Sequence, residues 1–203
     1  MATPPPSPPS PRPPTTGELA GALDDVATLA RGIRADQWAA PTPCADWNVR
    51  DVLAHVVGMN LVFAAMLSDR KPPDRARDPL GEDPVTAYIE SASALLTAFE
   101  RPGVLKRVYT SPLGEATGAD RLQIRLYDLL AHGWDLAQAT GQGFAVSEEL
   151  AENSLLFARA QLHDQARDGR FDAPQPVPDD APALIRLVAF LGRPVGGGAA
   201  GEG

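Results

Sequence analysis

Apolar residues recur at three- and four-residue steps along almost the whole of this chain. Each such stretch opens on a capping residue and closes on glycine or proline. The pattern is that of amphipathic helices. Thr15 and Glu18 have the spacing of a capping box, and Leu19, Leu23, Val26, Ala30 and Ile33 follow on one face. A second helix is expected from Asn48, with Asp51 in its first turn, to about Leu67, and Pro72, Pro73 and Pro79 break the chain after it. Pro84 suits the first position of a third helix, where its missing N–H costs nothing. That helix turns Tyr88, Ile89, Ala92, Leu95, Leu96 and Phe99 inward and stops near Gly103. A fourth spans about Ala119 to Ala139, ahead of Gly141, and Ser147 caps a fifth that reaches about Arg167. The last runs from Asp180–Pro182 to Gly192. Only Leu105 to Ser111 has strand character, and it is too short to found a sheet. The expectation is an all-α fold, a helical bundle.

Both ends of the chain differ in composition from the middle. Residues 2–14 hold eight of the 21 prolines, which favours an extended, solvated tail over residues 1–14. The last eight residues, GGGAAGEG after Val195, are equally unable to pack, so the folded unit is expected over residues 15–194, with 195–203 a disordered tail. Net charge is −8, with no dense Lys/Arg run, a poor basis for gripping nucleic-acid phosphates. No basic-then-apolar leader opens the chain and no apolar stretch reaches membrane-spanning length, so a cytoplasmic protein without membrane contact, monomeric or homodimeric, is expected. A single cysteine, Cys44, excludes an internal disulfide framework.

The chain has three histidines, and each can be weighed separately. His55 lies at the edge of the apolar arc of the second helix, beside Met59, Val62 and Met66, where a half-buried structural histidine is also at home. His132 has Asp128 four residues before it and Asp135 three after, so the three share one stripe of the fourth helix. An aspartate and a histidine one turn apart can direct donor atoms at a single cation. A bare D-x-x-x-H also fits a solvated flank with a local Asp–His hydrogen bond. His163, among polar residues, is expected to be exposed and without a role. Cys44 sits near a helix start, but small buried cysteines are commoner than reactive ones, and a structural role is expected for it. Arg125, one turn before Asp128, suits either a substrate carboxylate or a plain ion pair with that aspartate. No phosphate loop, nucleophile elbow or Cys-x-x-Cys motif is present.

Two segments taken together, TPCADWNVRDVLAHV (42–56) and LYDLLAHGWDLAQATGQ (126–142), resemble the metal-binding domain of mycothiol-dependent maleylpyruvate isomerase. That domain is one of the DinB-like four-helix bundles of actinobacteria. The ending PALIRLVAFLGRP is similar to the close of the smaller, single-domain members. The resemblance implies a DinB-like four-helix bundle with one or two additional C-terminal helices. It also implies a metal site of His55, Asp128 and His132, with aspartate standing where the isomerase has glutamate. Zinc is the ion implied, nickel and iron being alternatives that two histidines and a carboxylate also suit. Asp135 would then support His132 or act as a base. Mycothiol is the implied cofactor, and a metal- and thiol-dependent transferase or isomerase-like reaction on a small-molecule substrate the implied activity. Because the isomerase completes its active site with a second domain, a reaction other than maleylpyruvate isomerisation is expected here. A non-catalytic metal sensor or partner-binding module is the alternative.

Overall fold

The computed structural model describes residues 10–74, 76–111, 114–162 and 171–195. Among them are six α-helices: α1 (Thr16–Gly32), α2 (Val49–Leu67), α3 (Pro84–Glu100), α4 (Gly118–Thr140), α5 (Glu148–Gln161) and α6 (Ala183–Phe190). The protein is predominantly α-helical. Its helix starts are set locally. Thr15 with Glu18, Asn48 with Asp51, and Thr117 with Asp120 each close a full capping box, so backbone donors otherwise left bare at the start are satisfied. Pro84 follows an Asp83 cap, and Ser147 caps α5. The described part of α5 ends at Gln161; His163 and the expected extension to Arg167 lie outside the described residues.

Helices α1 and α2 sit on one diagonal of a four-helix bundle, and each packs against both α3 and α4. Helices α5 and α6 pack on each other and on the outer side of α4. The fourth helix is therefore enclosed from every direction, and 18 of its 23 residues are buried. Leu122, Leu126, Leu129 and Leu136 are wholly inaccessible, each contributing about 1.5–3 kcal/mol of burial. The same enclosure swallows Arg121, Gln123, Arg125, His132 and Asp135, so the polar stripe is not a solvated flank. Helix α2 is long and apolar enough to cross a membrane by length and composition alone, contrary to the expectation of no such stretch. In this fold it is a bundle helix, and its Asn60 and His55 face polar partners on α3 and α4.

Three further expectations are corrected. Ile89 is exposed rather than inward, because the buried line of α3 runs through Tyr88, Ser91, Leu95, Ala98 and Phe99. The short strand does pair: Val108–Ser111 and Gly114–Thr117 form a two-stranded antiparallel ribbon. Its partner strand, GEAT, has no strong strand former beyond Thr117; the buried Arg121 secures the ribbon by donating to the Tyr109 and Gly114 carbonyls at 3.1 and 2.7 Å. The proline-rich tail does not stay solvated to residue 14. Pro14 is buried, and Asn153 of α5 accepts from the Arg12 amide at 2.7 Å and donates to the Arg12 carbonyl at 3.2 Å. The Arg12 guanidinium meets Glu18 and Glu149.

Candidate metal centre

The side chains of His55, Asp128 and His132 converge where α2 crosses α4. The His55 and His132 rings are 4.8 Å apart between centroids. Asp128 Oδ1 lies 3.5 Å from His55 Nε2 and 3.7 Å from His132 Nε2, and the three donor atoms all lie within 4.8 Å of one another. A cation with bonds near 2.0–2.1 Å in tetrahedral geometry separates its ligand atoms by about 3.3–3.4 Å. The donor set therefore fits such an ion with little movement. Side-chain exposure falls from 29% at His55 to 17% at Asp128 and 7% at His132, so the site opens to solvent past His55 and has its floor on α4.

Each inner donor is fixed from behind. Arg125, fully buried, donates Nη1–H to Asp128 Oδ2 at 2.5 Å and Nη2–H to Asn60 Oδ1 at 2.8 Å, which leaves Oδ1 facing the histidines. Burial alone would raise the Asp128 pKa, but Arg125, His132 and His55 reverse this and hold the carboxyl far below its usual range. Behind His132, Nδ1 lies 3.0 Å from Asp135 Oδ2. Burial opposes ionisation of Asp135 too, yet His132 and Arg193 keep its pKa low. An ionised carboxylate can only accept, so Nδ1 carries the proton and the neutral ring presents a bare Nε2 to the site. Burial lowers the His132 pKa against the pull of Asp128 and Asp135, which favours that neutral ring.

The loop before α2 covers the site. Thr42 Oγ1 donates to the Trp47 carbonyl at 2.9 Å and accepts from the Cys44 amide at 3.2 Å, and Asp46 takes a positive φ of 63° to close the turn. This places the Trp47 ring 4.8 Å from the His55 ring and 5.7 Å from that of His132, nearly parallel to the latter. Gly133 serves the same helix differently. A Cβ there would come within 2.4 Å of the Phe144 ring, so glycine lets Phe144 pack against α4 next to His132.

Cys44 forms a second group with His132 and Asp135, its sulfur within 4.8 Å of their donor atoms. The His132 and Asp135 atoms of that group are already engaged with each other and with Arg193, which makes it the poorer cation site. Burial pushes the Cys44 thiol up to about 11, with Arg193 opposing. At pH 8 about one thiol in a thousand is then ionised, against roughly a quarter for an ordinary cysteine. Alkylation of Cys44 by iodoacetamide at pH 8 should accordingly run about two hundred-fold slower than for a free cysteine, rising tenfold per pH unit. A rate equal to that of a model thiol would contradict this placement.

Of the residues singled out in the sequence, His55, Asp128, His132 and Asp135 come together, and Arg125 proves to be the buried partner of Asp128 rather than an exposed anion contact. Arg193, Trp47 and Asn60 also belong to the site; Trp47 and Arg193 lie within segments that carry the family resemblance but were given no role there, and Asn60 carried no sequence signal. Arg193 stands 61 residues from His132, and no local pattern links the two.

A helical bundle with two histidines and one carboxylate aimed at a common point is the class that fold and site define. The chain belongs to the family described as mycothiol maleylpyruvate isomerase N-terminal domain, which matches residues 19–137. Uncharacterized proteins from two strains of Mycobacterium tuberculosis are each 38% identical over 176 residues, covering 86% of this chain and 94% of the relative. A further uncharacterized Mycobacterium tuberculosis protein is 23% identical over 193 residues, covering 86% of this chain and 72% of its own length. No solved structure matches.

Proposed function

We propose that this protein binds one divalent cation, zinc in the first instance, through His55, Asp128 and His132, and uses it in a thiol-dependent transfer or isomerisation. The observation that carries the reading is the convergence of three donor atoms whose 3.5 and 3.7 Å spacings are close to ligand–ligand distances around one small cation. Three protein ligands leave a position open, as catalytic sites do. When bound, such an ion would favour the thiolate form of a thiol ligand, since coordination favours loss of the proton. Mycothiol is the thiol to test first, because the family bears its name.

The protein's own groups prepare that site. Arg125 holds Asp128 with Oδ1 inward, and Asp135 accepts from Nδ1 of His132 and aims Nε2. Asp135 acts by positioning rather than as a free base, since it is fully buried and both of its oxygens are engaged. The two carboxylates are balanced by two buried arginines, Arg125 and Arg193, so a divalent ion would leave the centre positive and suited to an anionic ligand. Trp47 walls one side against water.

Protein purified without a histidine tag should retain about one equivalent of divalent metal by elemental analysis. Mycothiol with a panel of electrophilic acceptors then tests turnover. Loss of all metal on dialysis after zinc loading would overturn the reading. Stoichiometric metal without turnover of any thiol would reduce it to a metal-binding module.

A further inference from the structure

We propose that Arg193, delivered by the turn that ends α6, is a positioning residue for the metal centre, fixing His132 through Asp135. The proposal rests on the metal reading above and adds a residue from the far end of the chain to it. Helix α6 ends in a Schellman motif: the Arg193 amide donates to Val188 O at 2.9 Å and the Gly192 amide to Ala189 O at 3.0 Å. Gly192 has φ of +92°, and a Cβ there would fall 2.7 Å from Asp172 Cβ, so both conformation and space call for glycine. The turn swings the Arg193 side chain back against α4 instead of continuing outward.

There the guanidinium is buried, and besides its bonds to Asp135 and Leu191 its Nη2 lies 3.4 Å from His132 Nδ1. Nε donates to Asp135 Oδ1 at 3.3 Å, Nη2 to Asp135 Oδ2 at 2.9 Å, and Nη1 to the Leu191 carbonyl at 3.2 Å. A planar fork gripping both carboxylate oxygens stops rotation of the carboxylate, and the third bond ties the fork to its own helix end. Held that way, Asp135 Oδ2 faces Nδ1 of His132 at 3.0 Å. The imidazole is thereby locked both in ring orientation and in the tautomer that leaves Nε2 bare. Without the fork, Asp135 can turn away and His132 can donate or accept at either nitrogen. The docking of the C-terminal turn and the readiness of the metal site are thus one structural event.

Two readouts test this, on the full chain. The first is the tautomer of His132 in metal-free protein, read from imidazole nitrogen chemical shifts, which three histidines make assignable. Wild type should show His132 as a single species with Nδ1–H. Arg193→Ala should show exchange between tautomers, and Arg193→Lys, which keeps the charge but loses the fork, should fall between. Gly192→Ala, which alters no polar group, should shift the populations in the same direction by displacing the turn. The second readout is zinc affinity by chelator competition, expected to fall about 10–100-fold in Arg193→Ala, the usual effect of losing support behind a ligand. Arg186→Ala, which removes a half-buried α6 arginine bonded to Glu152 and the Ala181 carbonyl and not to Asp135, is the control and should change neither. A single Nδ1–H tautomer retained in Arg193→Ala overturns the proposal, whatever the affinity does. Should that variant fail to fold, the same result in both Arg193→Lys and Gly192→Ala overturns it. If wild type takes up no zinc, the metal reading falls, while the tautomer measurement still decides the role of Arg193.

Discussion

Replacing His132 by alanine should weaken zinc binding by about 10²–10³-fold while the bundle still folds. Four-ligand zinc sites gain about 10–16 kcal/mol in all, so one ligand is worth about 2.5–4 kcal/mol, which converts to that range. His132 is the ligand to remove because it is the most buried of the three and the one whose geometry is fixed from two sides. The loss of a buried ring lowers stability by about 2–4 kcal/mol through the cavity it leaves, but Asp135 keeps Arg193 as its partner and no charge is stranded. Circular dichroism reports the fold, and chelator competition reports the affinity. His163→Ala, outside both motifs, serves as the comparison and should bind as wild type does. Unchanged stoichiometry and affinity in His132→Ala would mean that the cation sits elsewhere, and the ligand assignment would be lost with it.

What the sequence made legible follows from the range of the forces involved. Helix starts depend on contacts three residues apart, and Thr15 with Glu18 and Asn48 with Asp51 were readable for that reason. Asp128 and His132 share a helix face by the same short-range geometry, and the two motifs together bring His55 to them. Long-range partners left no such trace. Arg193 reaches Asp135 across 58 residues, and Asn60 reaches Arg125 across 65, so the residue pattern of α4 by itself left a solvated flank open where the structure has an enclosed network. The ribbon strand Gly114–Thr117 was missed because a side chain from α4, not strand propensity, secures it. The docking of Arg12 escaped a composition argument, since eight prolines say nothing about where one arginine finds carboxylates.

Arg125→Leu should destabilise the metal-free protein by about 3–5 kcal/mol, and zinc should return part of that loss. Arg125 is wholly inaccessible, with its guanidinium shared between Asp128 and Asn60 and lying 5.6 Å from the Phe63 ring centroid. Leucine fills much of the same volume, so what disappears is chiefly the counter-charge of a buried carboxylate and the donor for a buried amide oxygen. In the metal-free variant Asp128 keeps only the His55 and His132 rings beside it. A divalent cation on Oδ1 supplies the missing positive charge, and removing the arginine also removes a repulsive neighbour of that cation. Both effects make the variant bind zinc more tightly than wild type, and tighter binding to the folded state raises stability by a larger increment. The thermal gap between Arg125→Leu and wild type should therefore narrow when saturating zinc is added. Arg121→Leu provides the contrast. That arginine is equally buried on the same helix, yet it holds the ribbon carbonyls of Tyr109 and Gly114 rather than a ligand. Its deficit should be the same with zinc as without. Equal zinc increments in the two variants would show that Asp128 does not face the ion, and that the arginine beside it neutralises a purely structural charge.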